Sequence, residues 1–430
     1  RCVSPIKTTV SAKSVAMGSL TAALAVATAC LVSLCSGSLQ THLSLTLDPS
    51  VVAVTFVTDT STSGLPTCVY GTSAQYMNKK AEGTSHTYPD GGFNGSIHVV
   101  SLPYLLPLTV YYYQCEVDEA ETPLFSFTSS SPKAHNTTIS IVGDMGITNS
   151  AKTMELMGND VVNGSTKLSL HVGDISYADD RVSPNSAIWD EFFSRMETTA
   201  ASAPYMTGPG NHDAQYNFAA YRNRLTMPEA GNGAADAPFY YSFDFAGIHF
   251  VMMSTEHNFS RGSAQNEWLE KDLALANQNR ANVPWIIVTG HRPLYCSGAA
   301  GTLLGRCTTE AEKHREAVED LLHTYGVELY ICGHNHQYER TAPVYNNTKV
   351  SDSYDNPTAT TYIVNGSGGN TELEDPFFFP NPGWRMAGNG FFGYVRMEVT
   401  FTEVQAQLGV SFIRDDTGKA VDEFTITKPL

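Results

Sequence analysis

The chain has 430 residues, 42% hydrophobic and 10% aromatic, enough for two or three domains with sizeable cores, so it reads as globular. Its formal charge of −17 excludes nucleic acid as the main partner, because phosphate backbones demand a basic surface. The acidic excess reads as a solvated face that bound cations would partly offset.

The amino-terminal stretch sets the compartment. Arg1, Lys7 and Lys13 precede an uncharged run at 15–32, VAMGSLTAALAVATACLV, and no acidic residue occurs before Asp48. With small residues around Cys35 and Ser38, residues 1–37 read as a secretory signal peptide, an uncleaved signal anchor being the alternative. No later stretch is long and apolar enough to span a bilayer, so no stable membrane span is expected after cleavage. Sequons at Asn94, Asn136, Asn163, Asn258, Asn346 and Asn365 fit the same route. They predict N-linked glycans on a secreted or lumenal protein, whether extracellular, vacuolar or lysosomal. Past the signal five cysteines remain, Cys68, Cys115, Cys296, Cys307 and Cys332, and an odd number leaves one thiol free in a monomer.

Between 42 and 128, short alternating runs (VVAVTFVTDT, TCVYG, SIHVVSL, TVYYYQCEV, LFSFTS) are separated by turn clusters such as Pro89-Asp90-Gly91-Gly92. This pattern predicts a fibronectin type III-like β-sandwich over 38–131, with no chemistry evident in it. The Ser/Thr/Pro stretch 128–132 reads as a linker. In 132–430 strands and helices alternate: TTISIVGD, a helix from Ser150, LSLHVGD, helices at 187–198 and around 268–276, PWIIVTGH, a helix at 310–324, then VELYICGH. TTYIVNG, FFGYVRMEVT, VQAQLGVSFI and VDEFTITK follow as strands, which makes the sheets mixed and the fold class α/β (α+β).

Five strand ends in the second domain carry potential metal ligands. Asp144 closes ISIVGDMG, Asp174 and Tyr177 sit in HVGDISYADD, and Asn211 and His212 follow a Pro-Gly turn in GPGNHD. His291 ends WIIVTGH, and His334 and His336 emerge from ICGHNH. Each alone has a plainer explanation: an Asp after Gly caps helices, an Asn makes turns, a His or Tyr packs in cores. Jointly they do not, because chance does not set such groups at successive strand ends beside a His-x-His, where open α/β sheets bind their ligands. Three imidazoles, two carboxylates, an amide and a phenol exceed one tetrahedral zinc and suit two ions about 3.5–4 Å apart with one carboxylate bridging. Such a pair activates water and clamps the oxygens of an in-line phosphoryl displacement, so phosphate ester hydrolysis is the expected reaction.

In order, GDMG, GDISYADD, GNHD, GHRP and GHNHQYER resemble the blocks of the metallophosphoesterase superfamily. The SY after Asp174 and the β-sandwich in front make the chain similar to purple acid phosphatases from about Thr41 to Lys428. The resemblance implies a catalytic αββα sandwich with mixed sheets over 132–430. It implies that Asp144, Tyr177 and His336 hold a ferric ion, that Asn211, His291 and His334 hold a divalent ion (Zn, Mn or Fe), and that Asp174 bridges them. Tyr177 discriminates, because phenolate is a hard anionic donor suited to Fe(III). His212 is implied as the catalytic residue that faces substrate, helping the leaving group or holding phosphate. The expected activity is an acid phosphatase hydrolysing small phosphate monoesters by direct attack of metal-bound hydroxide. The alternative is a phosphodiesterase or nucleotide pyrophosphatase with the same centre; a more remote one is a silent metal-binding or adhesion glycoprotein.

One loop departs from the plant members, which carry two histidines shortly after the position of His291, whereas LYCSGAAGTLLGRC has none before His314. It resembles instead family members with Tyr295-Cys296 and a second cysteine downstream. Cys296 and Cys307 flank this Gly-rich loop and are expected to be bridged in an oxidising compartment. Cys68 and Cys115 are expected to pair across the sandwich, leaving Cys332, in a buried strand, as the free thiol.

Overall fold

The computed structural model describes residues 39–430 except 181–184, 229–238, 301 and 373; the expected signal segment at 1–37 lies outside the described residues. Residues 42–128 form two antiparallel sheets. One orders His42–Leu45, Val52–Thr58, Ser96–Leu102 and Thr84–His86; the other orders Lys79–Glu82, Thr67–Gly71, Val110–Val117 and Ala120–Glu121, with Phe125–Thr128 also on Val110–Val117. The two-residue period decides which side faces in: along Val110–Val117, Tyr111, Tyr113, Cys115 and Val117 are buried while the intervening positions are not.

The sandwich and its exit differ from the expectation in two respects. Cys68 and Cys115 are disulfide-bonded, but they lie directly opposite one another on neighbouring strands of one sheet, so the bridge staples that sheet and does not cross the sandwich. The stretch 128–132 is no free linker: Ser129, Ser130 and Ser131 are buried, and the carbonyls of Ser131 and Pro132 accept the amides of Ala246 and Gly247 at 2.8 and 2.9 Å. Residues from Ser38 onward form one compact unit. Arg224 joins its parts, donating to Tyr88 Oη at 2.7 Å, Gln40 Oε1 at 3.0 Å and Asp190 Oδ1 at 2.8 Å while 1% exposed.

Beyond the sandwich two mixed sheets pack face to face. The six-stranded sheet runs Tyr205–Gly208, Thr166–Val172, Thr137–Val142, Gly393–Phe401, Gln405–Arg414, Lys419–Pro429; its first three strands are parallel and the rest antiparallel. The seven-stranded sheet runs Tyr241–Phe245, Ile248–Met252, Trp285–Thr289, Leu329–Cys332, Thr361–Asn365, Tyr338–Thr341, Arg385–Asn389, with its second to fifth strands parallel. Strands buried on both faces read as continuous apolar runs, and parity shows where each side chain goes. Ile287, Leu329, Ile331 and Ile363 join the core between the sheets. Ile286, Val288, Tyr330, Cys332 and Val364 point the other way, onto Leu269 and Leu273 of helix Ala264–Gln278 and Val318 and Leu322 of helix Cys307–Thr324. Helices Ala151–Val162 and Ser186–Ala200 pack on the first sheet through Met154, Met157, Phe192 and Met196.

Cys296 is bonded to Cys307, and Cys332 is the buried free thiol, as expected. Five sequon asparagines are exposed, but Asn365 is buried at a strand end with its Nδ2 donating to Ile141 O at 2.9 Å, so this sequon cannot carry a glycan in the fold. Among the described residues no helix is long and apolar enough to cross a membrane.

Candidate metal centre

The parallel strands of both sheets deliver the site from their carboxyl ends. Thr137–Val142, Thr166–Val172 and Tyr205–Gly208 are adjacent and lead into Asp144, Asp174 and Asn211; Trp285–Thr289 and Leu329–Cys332 are adjacent and lead into His291 and His334. The loops stay tied together beyond the strands, Asp144 N donating to Gly173 O at 3.1 Å and Gly333 N to His291 O at 2.9 Å. Among the bonds that join the sheets at the site, His334 N donates to Asp144 Oδ2 at 2.8 Å and His291 Nδ1 contacts Val172 O at 3.0 Å.

The sharp exits strain the backbone. Asp144, Asp174, Tyr177 and His334 have φ of 56°, 52°, 54° and 69°, a left-handed conformation that non-glycine residues hold only when their surroundings over-determine it. Glycine precedes the ligand where backbones close in. At Gly173, with φ +93°, a Cβ would lie 2.4 Å from His291 Nδ1; at Gly333 it would lie 2.2 Å from Asp144 Oδ2.

The predicted ligands assemble into two groups. Tyr177 Oη lies 3.0 Å from His336 Nε2 and 3.3 Å from Asp144 Oδ1, and those two atoms are 3.4 Å apart. His291 Nε2 lies 3.0 Å from Asp174 Oδ2 and 3.2 Å from Asn211 Oδ1; the ring of His334 stands 5.1 Å from that of His291, and donor atoms of Asp174, His291 and His334 fall within 4.8 Å of one another. Donors at right angles on an ion, each about 2.1 Å away, are separated by about 3 Å, so both groups fit the faces of coordination spheres. With Nδ1–H donating to Val172 O, His291 keeps its Nε2 lone pair on the shared point.

Electrostatics agrees with cation binding. Burial opposes a charge on His291, but Asp174 and Asp144 outweigh it and lift the imidazole to about 10; burial also opposes His336, which Asp144 lifts to about 9. Burial, then Asp144, Asp174 and Glu372, push the Tyr177 phenol well above its ordinary range, so a phenolate here requires a strong positive neighbour. The donor set thus fits two ions.

His212 follows Asn211 and completes the predicted set. Its main-chain N donates to Asp174 Oδ1 at 2.7 Å, its ring lies against Tyr177 with centroids 4.4 Å apart, and its Nδ1 meets Asp179 Oδ2 at 2.9 Å. Burial disfavours its charge, but the Asp179 hydrogen bond and the charges of Asp174, Asp179 and Glu372 raise it to about 9.

Several neighbours of the candidate centre were not singled out by the sequence. Asp213 is buried and accepts the amides of Gly210, Asp174 and Ile175 at 2.9, 3.1 and 3.1 Å, pinning two ligand loops with one carboxylate. Arg292 binds Glu256 through Nε and Nη2 at 2.8 and 3.0 Å, and its Nη1 meets Glu310 and, at 3.2 Å, His334 Nε2. Glu310 Oε2 is itself 3.2 Å from His334 Nε2, and Glu372 lies 3.7 Å from His212 Nε2 and 4.0 Å from His336 Nε2. Asp179, Asp213 and Arg292 sit inside GDISYADD, GNHD and GHRP, a signal that could have found them; Glu310 and Glu372 have none.

Three family models match the chain: purple acid phosphatase N-terminal domain over 38–129, calcineurin-like phosphoesterase over 137–338, and iron/zinc purple acid phosphatase-like protein C over 359–423. Acid phosphatase type 7 of Homo sapiens is 35% identical over 414 residues, covering 91% of this chain and 91% of that protein. Purple acid phosphatase 15 of Arabidopsis thaliana is 32% identical over 399 residues, 80% of this chain and 71% of that protein. Among solved structures, purple acid phosphatase PPD1 from yellow lupin (Lupinus luteus) seeds shares the fold with a TM-score of 0.79 at 22% identity, over 91% of this chain and 75% of that one.

Proposed function

The chain belongs to the purple acid phosphatase family, and from that premise we propose how its own residues divide the work. It is a metallophosphoesterase that hydrolyses phosphate monoesters with a binuclear metal centre. The observation that carries the reading is the convergence of carboxylate, phenol, amide and imidazole donors on two points at one edge of two sheets. Asp144, Tyr177 and His336 would hold a ferric ion, Asn211, His291 and His334 would hold a divalent ion (Zn, Mn or Fe), and Asp174 would serve both. When bound, the two ions would make a water acidic enough to lose its proton and so become the nucleophile, and would supply positive charge for the phosphoryl oxygens.

The chain's own groups do the rest. Val172 O fixes the tautomer of His291, and Asp213 holds the loops that carry Asp174 and Asn211. Asp179 accepts from His212 Nδ1–H, which leaves Nε2–H to protonate the departing oxygen of the ester. The sandwich over 38–131 buttresses the catalytic domain over 132–430 through Arg224. Residues 1–37 direct the protein to a secreted or lumenal destination, and glycans occupy sequons among Asn94, Asn136, Asn163, Asn258 and Asn346.

A chromogenic phosphate monoester assay on metal-replete protein tests the reading, with a matched diester as comparison. Monoester turnover that disappears on metal removal and returns with iron plus zinc is expected. Faster diester than monoester turnover would favour the phosphodiesterase alternative, and inactivity after reconstitution would refute the assignment.

A further inference from the structure

Two glutamates flank the candidate centre without belonging to either ligand group. Glu310 stands in the first turn of helix Cys307–Thr324, 37% exposed, with Oε2 3.2 Å from His334 Nε2. The disulfide to Cys296 anchors the first residue of that helix, so the glutamate is held in place. On the other flank Glu372 is 50% exposed, 3.7 Å from His212 Nε2 and 4.0 Å from His336 Nε2.

We propose that Glu310 and Glu372 select phosphate monoesters whose leaving group carries a protonated amine over those whose leaving group carries further phosphates. The proposal deepens the monoesterase reading and rests on it. Glu372 stands beside His212 and Glu310 beside His334, so a leaving group that extends from a phosphoryl group bound at this centre has a carboxylate on either side. The guanidinium beside Glu310 is not free to receive a second phosphate: Arg292 places Nε and Nη2 on Glu256 and Nη1 on Glu310. Two carboxylates against one guanidinium leave that flank negative. Near Glu372, Asp179 and Asp180 add to the same sign, Asp179 on His212 and Asp180 on the Thr371 hydroxyl. The ion pairs of Glu372 are with imidazoles of the site itself. The overall charge of −17 points the same way. A leaving-group ammonium about 5 Å from an exposed carboxylate gains enough for roughly a tenfold preference at low salt, and screening removes most of it at high salt.

The test uses full-length metal-replete enzyme and kcat/KM for 2-aminoethyl phosphate, 2-hydroxyethyl phosphate and ethane-1,2-diyl bisphosphate, at low and high salt. Wild type is compared with Glu310→Gln, Glu372→Gln and the double variant, each checked for metal content. The expected result is an aminoethyl-to-bisphosphate ratio that falls about tenfold in the double variant, and that shrinks with salt more steeply in wild type than in that variant. A ratio unchanged by both substitutions overturns the proposal, and so does a wild-type ratio independent of salt, a measurement that needs no variant. Absence of turnover with all three esters instead sinks the monoesterase reading, and the selectivity with it.

Discussion

His249 and His291 both sit between acidic side chains, yet the two sites are built differently. His249 lies within strand Ile248–Met252, directly opposite Asp244 in the antiparallel ladder. Its Nδ1 meets Asp244 Oδ1 at 2.7 Å and its Nε2 meets Asp272 Oδ2 at 2.9 Å, so each ring nitrogen has a carboxylate to itself. His291 spends Nδ1 on a carbonyl and brings Nε2 to a point it shares with Asp174 and Asn211, in loops where Asp174 is left-handed. Imidazole beside carboxylate is therefore a common structural pair. What marks a metal centre is several donors converging on one point, held there by backbone that has no other reason to be strained.

The largest test of that contrast removes the shared donor. Asp174→Ala is expected to lose both ions and at least about 10³-fold in activity, read by metal analysis and kcat. His249→Gln should keep both ions; if it lost metal as Asp174→Ala does, the distinction between paired and convergent donors would collapse. His212→Ala comes next. With both ions retained it should slow substrates with poor leaving groups by about 10²-fold or more and activated aryl esters far less, because proton donation matters only where the leaving oxygen is basic.

Tyr177→Phe acts on one ion and sharpens the assignment within the centre. The protein should show a visible tyrosinate-to-iron band that the variant lacks, while part of the metal remains bound. An active, colourless wild type containing zinc alone would sink the ferric assignment.

How much of this was legible depended on how local the cause is. The seven candidate ligands could be read because each follows an apolar strand and five of them follow a glycine, a pattern that chain-neighbours impose. Strands Lys79–Glu82 (KKAE) and Thr84–His86 (TSH) were illegible because they lie largely exposed and carry no apolar alternation. Arg385–Asn389 (RMAGN) is an edge strand without one either. The partners of Cys68 and Cys115 were legible as a pair but not as neighbours, since strand order is a tertiary fact. Glu310 and Glu372 came from a helix start and a loop, and no spacing marks a residue that only the final packing brings to the site.

The bridge Cys296–Cys307 closes the loop that leads from His291 to Glu310. Replacing both cysteines by serine should cost about 3 kcal/mol of stability by the chain-entropy account, measured by urea denaturation under non-reducing conditions. The ions should remain, because no ligand lies inside the loop.

The smallest effect belongs to His249 and depends on pH. Burial opposes its charge, but hydrogen bonds to Asp244 and Asp272 and their charges raise it to about 9, above the ordinary value of 6.5. A raised imidazole stabilises the fold in full below pH 6.5, where folded and unfolded chains are both protonated. As pH rises the unfolded chain loses its proton first, and the stabilisation fades until it is gone above about 9. Its size is on the order of 2 kcal/mol, the partial exposure of Asp244 reducing what the shift alone implies. Urea denaturation of wild type and His249→Gln at pH 6, 7.5 and 9.5 should show a stability gap that narrows as pH rises. A constant gap would mean a neutral imidazole between the two aspartates, and the pair would then owe its geometry to hydrogen bonding without charge.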